Sequence, residues 1–196
     1  MGKDLPVHAV SWYEAVEFCN ALSIKDGLEP CYTIDKNTKD PNNKNTYDEL
    51  KWTVSCNFSA DGYRLPTEAE WEFAARGGNK SKGYLYAGSN DLDEVAWYSG
   101  NSDDPLHKVG QKKPNELGIY DMCGNLQEWC WDWYKQDYNY GSEPDPKGAD
   151  SGEGRVNRSN ADYDFLCPVY KRDWAPPFCD NYIIGIRVAR SVKTAE

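Results

Sequence analysis

The chain has 196 residues, with 32 acidic against 22 basic side chains and a net charge of −10. That length fits one domain with a real core, and the charge argues against nucleic acid and anionic membrane surfaces, which select basic patches. No apolar run approaches the roughly 20 residues needed to insert across a bilayer, and Met1-Gly2-Lys3 is not followed by an apolar signal region. Eight tryptophans and fourteen tyrosines are many for so polar a chain. The seven cysteines are an odd number with no C-x-x-C spacing, which weakens zinc and thioredoxin-type readings.

The first element is a helix opened by a capping box, Ser11 with Glu14, and carrying Ala15, Phe18, Cys19 and Leu22 at helical spacing. This stripe is expected to face the core. Cys31 to Ile34 and Trp52 to Cys56 read as two strands, joined by a polar hairpin loop from Asp35 to Lys51. A hairpin brings Cys31 and Cys56 near each other, so they form a disulfide in an oxidising compartment or remain two free thiols.

The next block is Gly62-Tyr63-Arg64-Leu65-Pro66-Thr67-Glu68-Ala69-Glu70-Trp71-Glu72-Phe73-Ala74-Ala75-Arg76-Gly77-Gly78. Thr67 and Glu70 form a second capping box, Trp71, Ala74 and Ala75 give the helix one apolar face, and Gly77-Gly78 supplies a left-handed exit. The string resembles the signature of the formylglycine-generating-enzyme (sulfatase-modifying factor) family, and the resemblance runs from Pro6 to Arg190. It implies a C-type-lectin-like α+β fold over a single domain, 1–196, with short helices around small antiparallel sheets and much irregular structure.

After a mostly irregular stretch from Asn79 to Pro114, Asn115 to Trp129 resembles the family's Gly-Leu-Tyr-Asp-Met-x-Gly-Asn-Val-Trp-Glu-Trp motif, with Gln127 in place of a tryptophan. The alternation of Trp129, Trp131 and Trp133 predicts a strand with one aromatic face. Carried over by position, the family's calcium site would use the side chains of Asp121 and Glu128 and the carbonyls of Gly124 and Leu126. Hard oxygen ligands suit a structural Ca2+; the alternative is that both carboxylates cap backbone N–H groups in the turn.

Arg155 to Arg158 and Ile184 to Arg190 resemble the two ends of the family's last segment, and the second alternates as a half-buried strand should. Between them the usual Gly-Gly-Ser-Trp and Cys-Arg are replaced by Ser159-Asn160-Ala161-Asp162 and Cys167-Pro168. The aromatics Tyr163, Phe165, Tyr170, Trp174, Phe178 and Tyr182 follow no helical or strand period and are interrupted by Pro168, Pro176 and Pro177. They resemble a paratope, or else lie buried under loops.

The family's enzymes oxidise a sulfatase cysteine with a close pair of cysteines. Cys167 matches the first, but Arg172 stands where the second belongs, so no copper is expected and formylglycine generation is the weaker alternative. His8 and His107 are the only histidines and stand in no recognisable acid–base setting. Proteins with this core also serve as variable proteins of diversity-generating retroelements, rewritten in a C-terminal segment that ends near an Ile-Gly-x-Arg strand. That resemblance implies a non-catalytic, receptor-like binding protein displayed at the cell surface or outside the cell. Its variable segment is 155–190, and it binds a protein or cell-surface ligand through Asp162, Tyr163, Phe165, Tyr170, Asp173, Trp174, Phe178, Asp180, Asn181 and Tyr182. An accessory domain with one fixed partner is the other alternative.

Overall fold

The computed structural model describes residues 4–104, 106–137, 144–161 and 167–191. Helix α1 (Trp12–Lys25) starts at the expected capping box, with the Ser11 hydroxyl accepting from the Glu14 N–H and the Glu14 carboxylate accepting from the Ser11 N–H. It buries Trp12, Ala15, Val16, Cys19 and Ser23, while Phe18 stays 44 % exposed. The expected stripe is therefore rotated. Trp12, whose indole N–H donates to the Cys130 carbonyl at 3.0 Å, sets the buried face, and Phe18 and Leu22 fall at its margin.

Strands β1 (Tyr32–Lys39) and β2 (Trp52–Cys56) pair antiparallel. The first runs five residues beyond the expected end, so the loop begins only at Asp40. Cys56 stands opposite Tyr32, not Cys31, and both cysteines are free thiols, which removes the disulfide reading. Neighbouring residues of a strand point to opposite faces, so this register turns the two side chains apart.

Strand β3 (Tyr63–Arg64) leads into helix α2 (Glu68–Ala75), whose second capping box also forms. Glu70 serves twice there. It accepts from the Thr67 N–H at 2.9 Å and takes a two-pronged guanidinium contact from Arg64 at 2.6 and 2.7 Å, locking strand end to helix start. Gly77 and Gly78 adopt the left-handed backbone the exit requires, and a short 3-10 turn, Gly78–Lys80, follows. A one-turn helix, α3 (Leu92–Val95), stands in the irregular stretch.

The central sheet has the order β6-β5-β4-β7, with β4 (Gln127–Trp133), β5 (Arg155–Arg158), β6 (Asp173–Ala175) and β7 (Ile184–Gly185). Only the β4–β7 pair is parallel. The expected strand over Ile184 to Arg190 is broken: Ile184–Gly185 joins β4, Ala189–Arg190 (β8) pairs with β3, and Arg187 turns inward between them. A side chain on Gly185 would run into the Val7 carbonyl, so this crossing needs glycine.

β4 separates two cores. Trp129 packs with α1, Tyr32, Val54 and Leu65, and Cys130 packs with Trp71, Met122 and Val156. The tryptophan face lies inside, with Trp131 against Trp12 at 5.5 Å and Tyr32 at 5.6 Å. Arg155 is buried over the rings of Trp12 (3.8 Å) and Trp133 (3.6 Å), and burial brings its pKa down to about 9.

Candidate ligand-binding face

The C-terminal segment is held from beneath by charge. Glu68, at the start of α2, is fully buried and receives two guanidinium groups. Arg158 of β5 reaches its Oε1 at 2.9 Å and also pairs with Glu72 at 2.9 Å. Arg172 donates through Nε at 2.7 Å and Nη2 at 2.8 Å. Arg158 donates in addition to the Val169 carbonyl and lies 4.8 Å from the centre of the Trp71 ring. One carboxylate thus ties α2, β5 and the 169–172 turn together. Asp173 is held sideways: its Oδ2 accepts from the side-chain amides of Asn160 (3.0 Å) and Gln127 (3.4 Å). The backbone is pinned as well, with the Trp12 N–H donating to the Pro177 carbonyl and the Ile184 N–H to the Asn181 carbonyl.

From this fixed backbone the expected contact side chains point outward. Tyr170 is 50 % exposed, Trp174 41 %, Phe178 38 % and Tyr182 60 %, and Asp180 and Asn181 are exposed too. Burial under loops is thereby excluded for these four aromatics. Trp174 is oriented by stacking on Tyr134, with ring centres 6.0 Å apart. Asp173 is half-buried and committed to the scaffold, so its place is in the frame. Asp162, Tyr163 and Phe165 lie outside the described residues.

The enzyme's thiol pair is not reproduced. Cys167 is buried, with its Sγ donating to the Asn160 carbonyl and its carbonyl accepting from the Cys123 Sγ at 3.1 Å. Arg172, in the place of the second cysteine, is spent on Glu68. Burial pushes the Cys123 thiol up to about 12 and also raises that of the wholly enclosed Cys130, so neither supplies a thiolate. His107 stacks on Trp97 at 4.0 Å and meets the Ser102 hydroxyl.

Of the four positions carried over for calcium, Asp121, Gly124 and Glu128 have oxygens that already accept from protein donors. Glu128 accepts from Arg187 through both oxygens at 2.8 Å and from the Trp71 indole at 2.7 Å. Arg187 also donates to the carbonyls of Tyr120 (3.0 Å) and Asp121 (3.4 Å). The Asp121 carboxylate accepts from the Gly110 N–H at 2.7 Å, and the Gly124 carbonyl accepts from Ser159 and Leu126. Burial raises the Asp121 pKa, with Glu128 adding to the rise and Gly110 and Arg187 opposing it. In this arrangement a guanidinium supplies the positive charge, and the set does not fit a calcium ion. Among the described residues, no group of three or more His, Cys, Asp or Glu side chains gathers as a metal site.

The family description "Sulfatase-modifying factor enzyme 1-like domain" matches residues 1–192. The chain belongs to this family. It is 55% identical over 150 residues to "Chaperone protein LppX" of Paenibacillus barcinonensis, covering 68% of this chain and 54% of that protein. It is 32% identical over 148 residues to the formylglycine-generating enzyme of Thermomonospora curvata, covering 66% and 45% respectively. The chain therefore spans about half the length of these curated relatives. Among solved structures, "Treponema denticola variable protein 1" superposes with a TM-score of 0.82 at 39% identity, covering 95% of this chain and 71% of that one. The α+β, C-type-lectin-like architecture is thus shown. The Glu68–Arg158–Arg172 anchor and the Glu128–Arg187 pair carry no local sequence signal, since each arginine stands 59 to 104 positions from its carboxylate.

Proposed function

We propose that this family member is a non-catalytic binding protein whose contact face is the segment around 170–182, diversified between copies to meet different protein ligands. One observation carries the reading: within a single segment Arg158, Arg172 and Asp173 are spent on the scaffold, while Tyr170, Trp174, Phe178 and Tyr182 are free to be exchanged. All four reach solvent, and large aromatics give contact area at low rotamer cost. The similarity to the Treponema denticola variable protein supports it. Such a face works where varied partners are met, at the cell surface or outside the cell.

A second reading, an accessory domain that uses this face for one fixed partner, is favoured by the 55% identity to a protein named a chaperone. The two separate on the variability of the segment alone. The catalytic alternative is tested by incubating the protein with copper and a sulfatase peptide. No mass change at the peptide cysteine is expected, and conversion of that cysteine to formylglycine would overturn the proposal.

A further inference from the structure

A cleft of about 580 Å3 opens where the contact face ends, between the 97–107 stretch and Tyr182-Ile183. Its floor is Asn125, Leu126 and Gln127, all buried, where β4 begins. The walls are bonded to that floor. The Trp97 carbonyl accepts from the Asn125 N–H at 2.8 Å, and the Ile183 carbonyl accepts from the Gln127 N–H at 2.9 Å. The Asn125 carboxamide closes a pair of hydrogen bonds with the His107 backbone, at 3.0 and 3.1 Å. The cleft is therefore formed before anything enters it, which lowers the cost of binding.

Its chemistry is one-sided. Tyr182, 60 % exposed, offers an aromatic ring, while Asp103 and Asp104 line the cleft and are exposed. Among the described residues, neither of these carboxylates accepts from a donor or pairs with a cation, and no lysine or arginine lines the cleft. The lysines that follow in the chain are committed elsewhere: Lys108 pairs with Asp4 at 3.6 Å, and Lys112 donates to the Asp93 carbonyl at 2.8 Å while covering the Trp97 ring. We propose that the cleft is the subsite for an arginine side chain of the protein partner. A guanidinium can lie against the Tyr182 ring and donate to a rim carboxylate at once. A lysine ammonium brings the charge without the flat fork, and an acidic side chain meets two like charges. Asp103, Asp104, Trp97 and His107 all stand outside 155–190. The demand for a cation is therefore constant among copies of the protein, while the ring at 182 is exchangeable.

The inference rests on residues 170–182 being the contact face, but its test does not require a partner. Isotope-labelled protein is titrated with Nα-acetyl-arginine amide, and in parallel with the lysine and citrulline derivatives at matched ionic strength, while the Tyr182 and His107 ring resonances are followed. The arginine derivative is expected to move them saturably, with lysine about threefold weaker and citrulline, which keeps the shape and loses the charge, about tenfold weaker. Asp103→Asn with Asp104→Asn, at exposed positions that leave the fold intact, removes the preference over citrulline. Absence of saturable movement with the arginine derivative overturns the subsite. Equal affinity for citrulline or for lysine overturns it as a guanidinium site, as does a preference that survives the double substitution. None of these results bears on whether the aromatics at 170, 174 and 178 bind a partner.

Discussion

Replacing Asp132 by asparagine should stabilise the protein at alkaline pH and leave it nearly unchanged near pH 4. Asp132 is 1 % exposed; its Oδ2 accepts from the Glu68 N–H at 2.7 Å, the first free amide of α2, and its Oδ1 has no partner. Burial, and secondarily the charge of Glu68, pushes its pKa up to about 7 from an ordinary value of 3.8. An acid whose pKa is raised by folding is protonated in both states below about pH 4. As the pH climbs toward 7, the unfolded chain releases its proton first, and the folded state is increasingly penalised. A rise of roughly three units corresponds to a ceiling of about 4 kcal/mol above pH 7, at 1.36 kcal/mol per unit. Asparagine keeps an acceptor for the Glu68 N–H and removes the ionisation, but its NH2 takes over the unpartnered position at a cost of about 1–3 kcal/mol. Near pH 4 the protonated acid carries a comparable unpartnered donor, so that cost largely cancels. A net gain of about 1–3 kcal/mol at pH 8 follows. Urea unfolding of both proteins at pH 4.5 and 8 measures it. A difference independent of pH would refute the assignment of the raised pKa to Asp132.

Arg172→Ala removes one of the two guanidiniums on buried Glu68, and should cost about 2–4 kcal/mol and open the 167–175 turn to limited proteolysis; an unchanged denaturation midpoint would contradict its anchoring role. Trp174→Ala and Tyr182→Ala, at exposed sites, should change stability by less than about 1 kcal/mol, yet each should weaken capture of a bound partner by about 2 kcal/mol or more if it is a contact anchor. Calcium and EDTA should leave the thermal midpoint unchanged, because Arg187 holds Glu128; a calcium-dependent rise in scanning calorimetry would show that the ion displaces the guanidinium.

How much was legible in the sequence depended on distance along the chain. Ser11 with Glu14 and Thr67 with Glu70 are three residues apart, so both helix starts could be read directly and both formed. The sequence left the aromatics open between a paratope and burial under loops, and the exposure of Tyr170, Trp174, Phe178 and Tyr182 chose between them. What failed was register and long-range pairing. Which face of α1 is buried was decided by Trp12 and its bond to Cys130, 118 positions away. Between the two open readings of Cys31 and Cys56, a disulfide or two free thiols, a single residue of ladder register decided. The strand over 184–190 was broken by the demand of Glu128 for a cation from Arg187, and the Glu68 anchor joins residues from three separate blocks.

The most direct test is deep sequencing of the DNA encoding residues 155–190 from many isolates, together with a search for a near-copy repeat beside the gene. The account predicts substitutions concentrated at 170, 174, 178 and 180–182, over constant Arg158, Arg172, Asp173, Ile184 and Gly185. A uniform segment without a repeat would contradict diversification and leave a domain with one fixed partner; changes spread evenly over the buried anchors would contradict the division into frame and face.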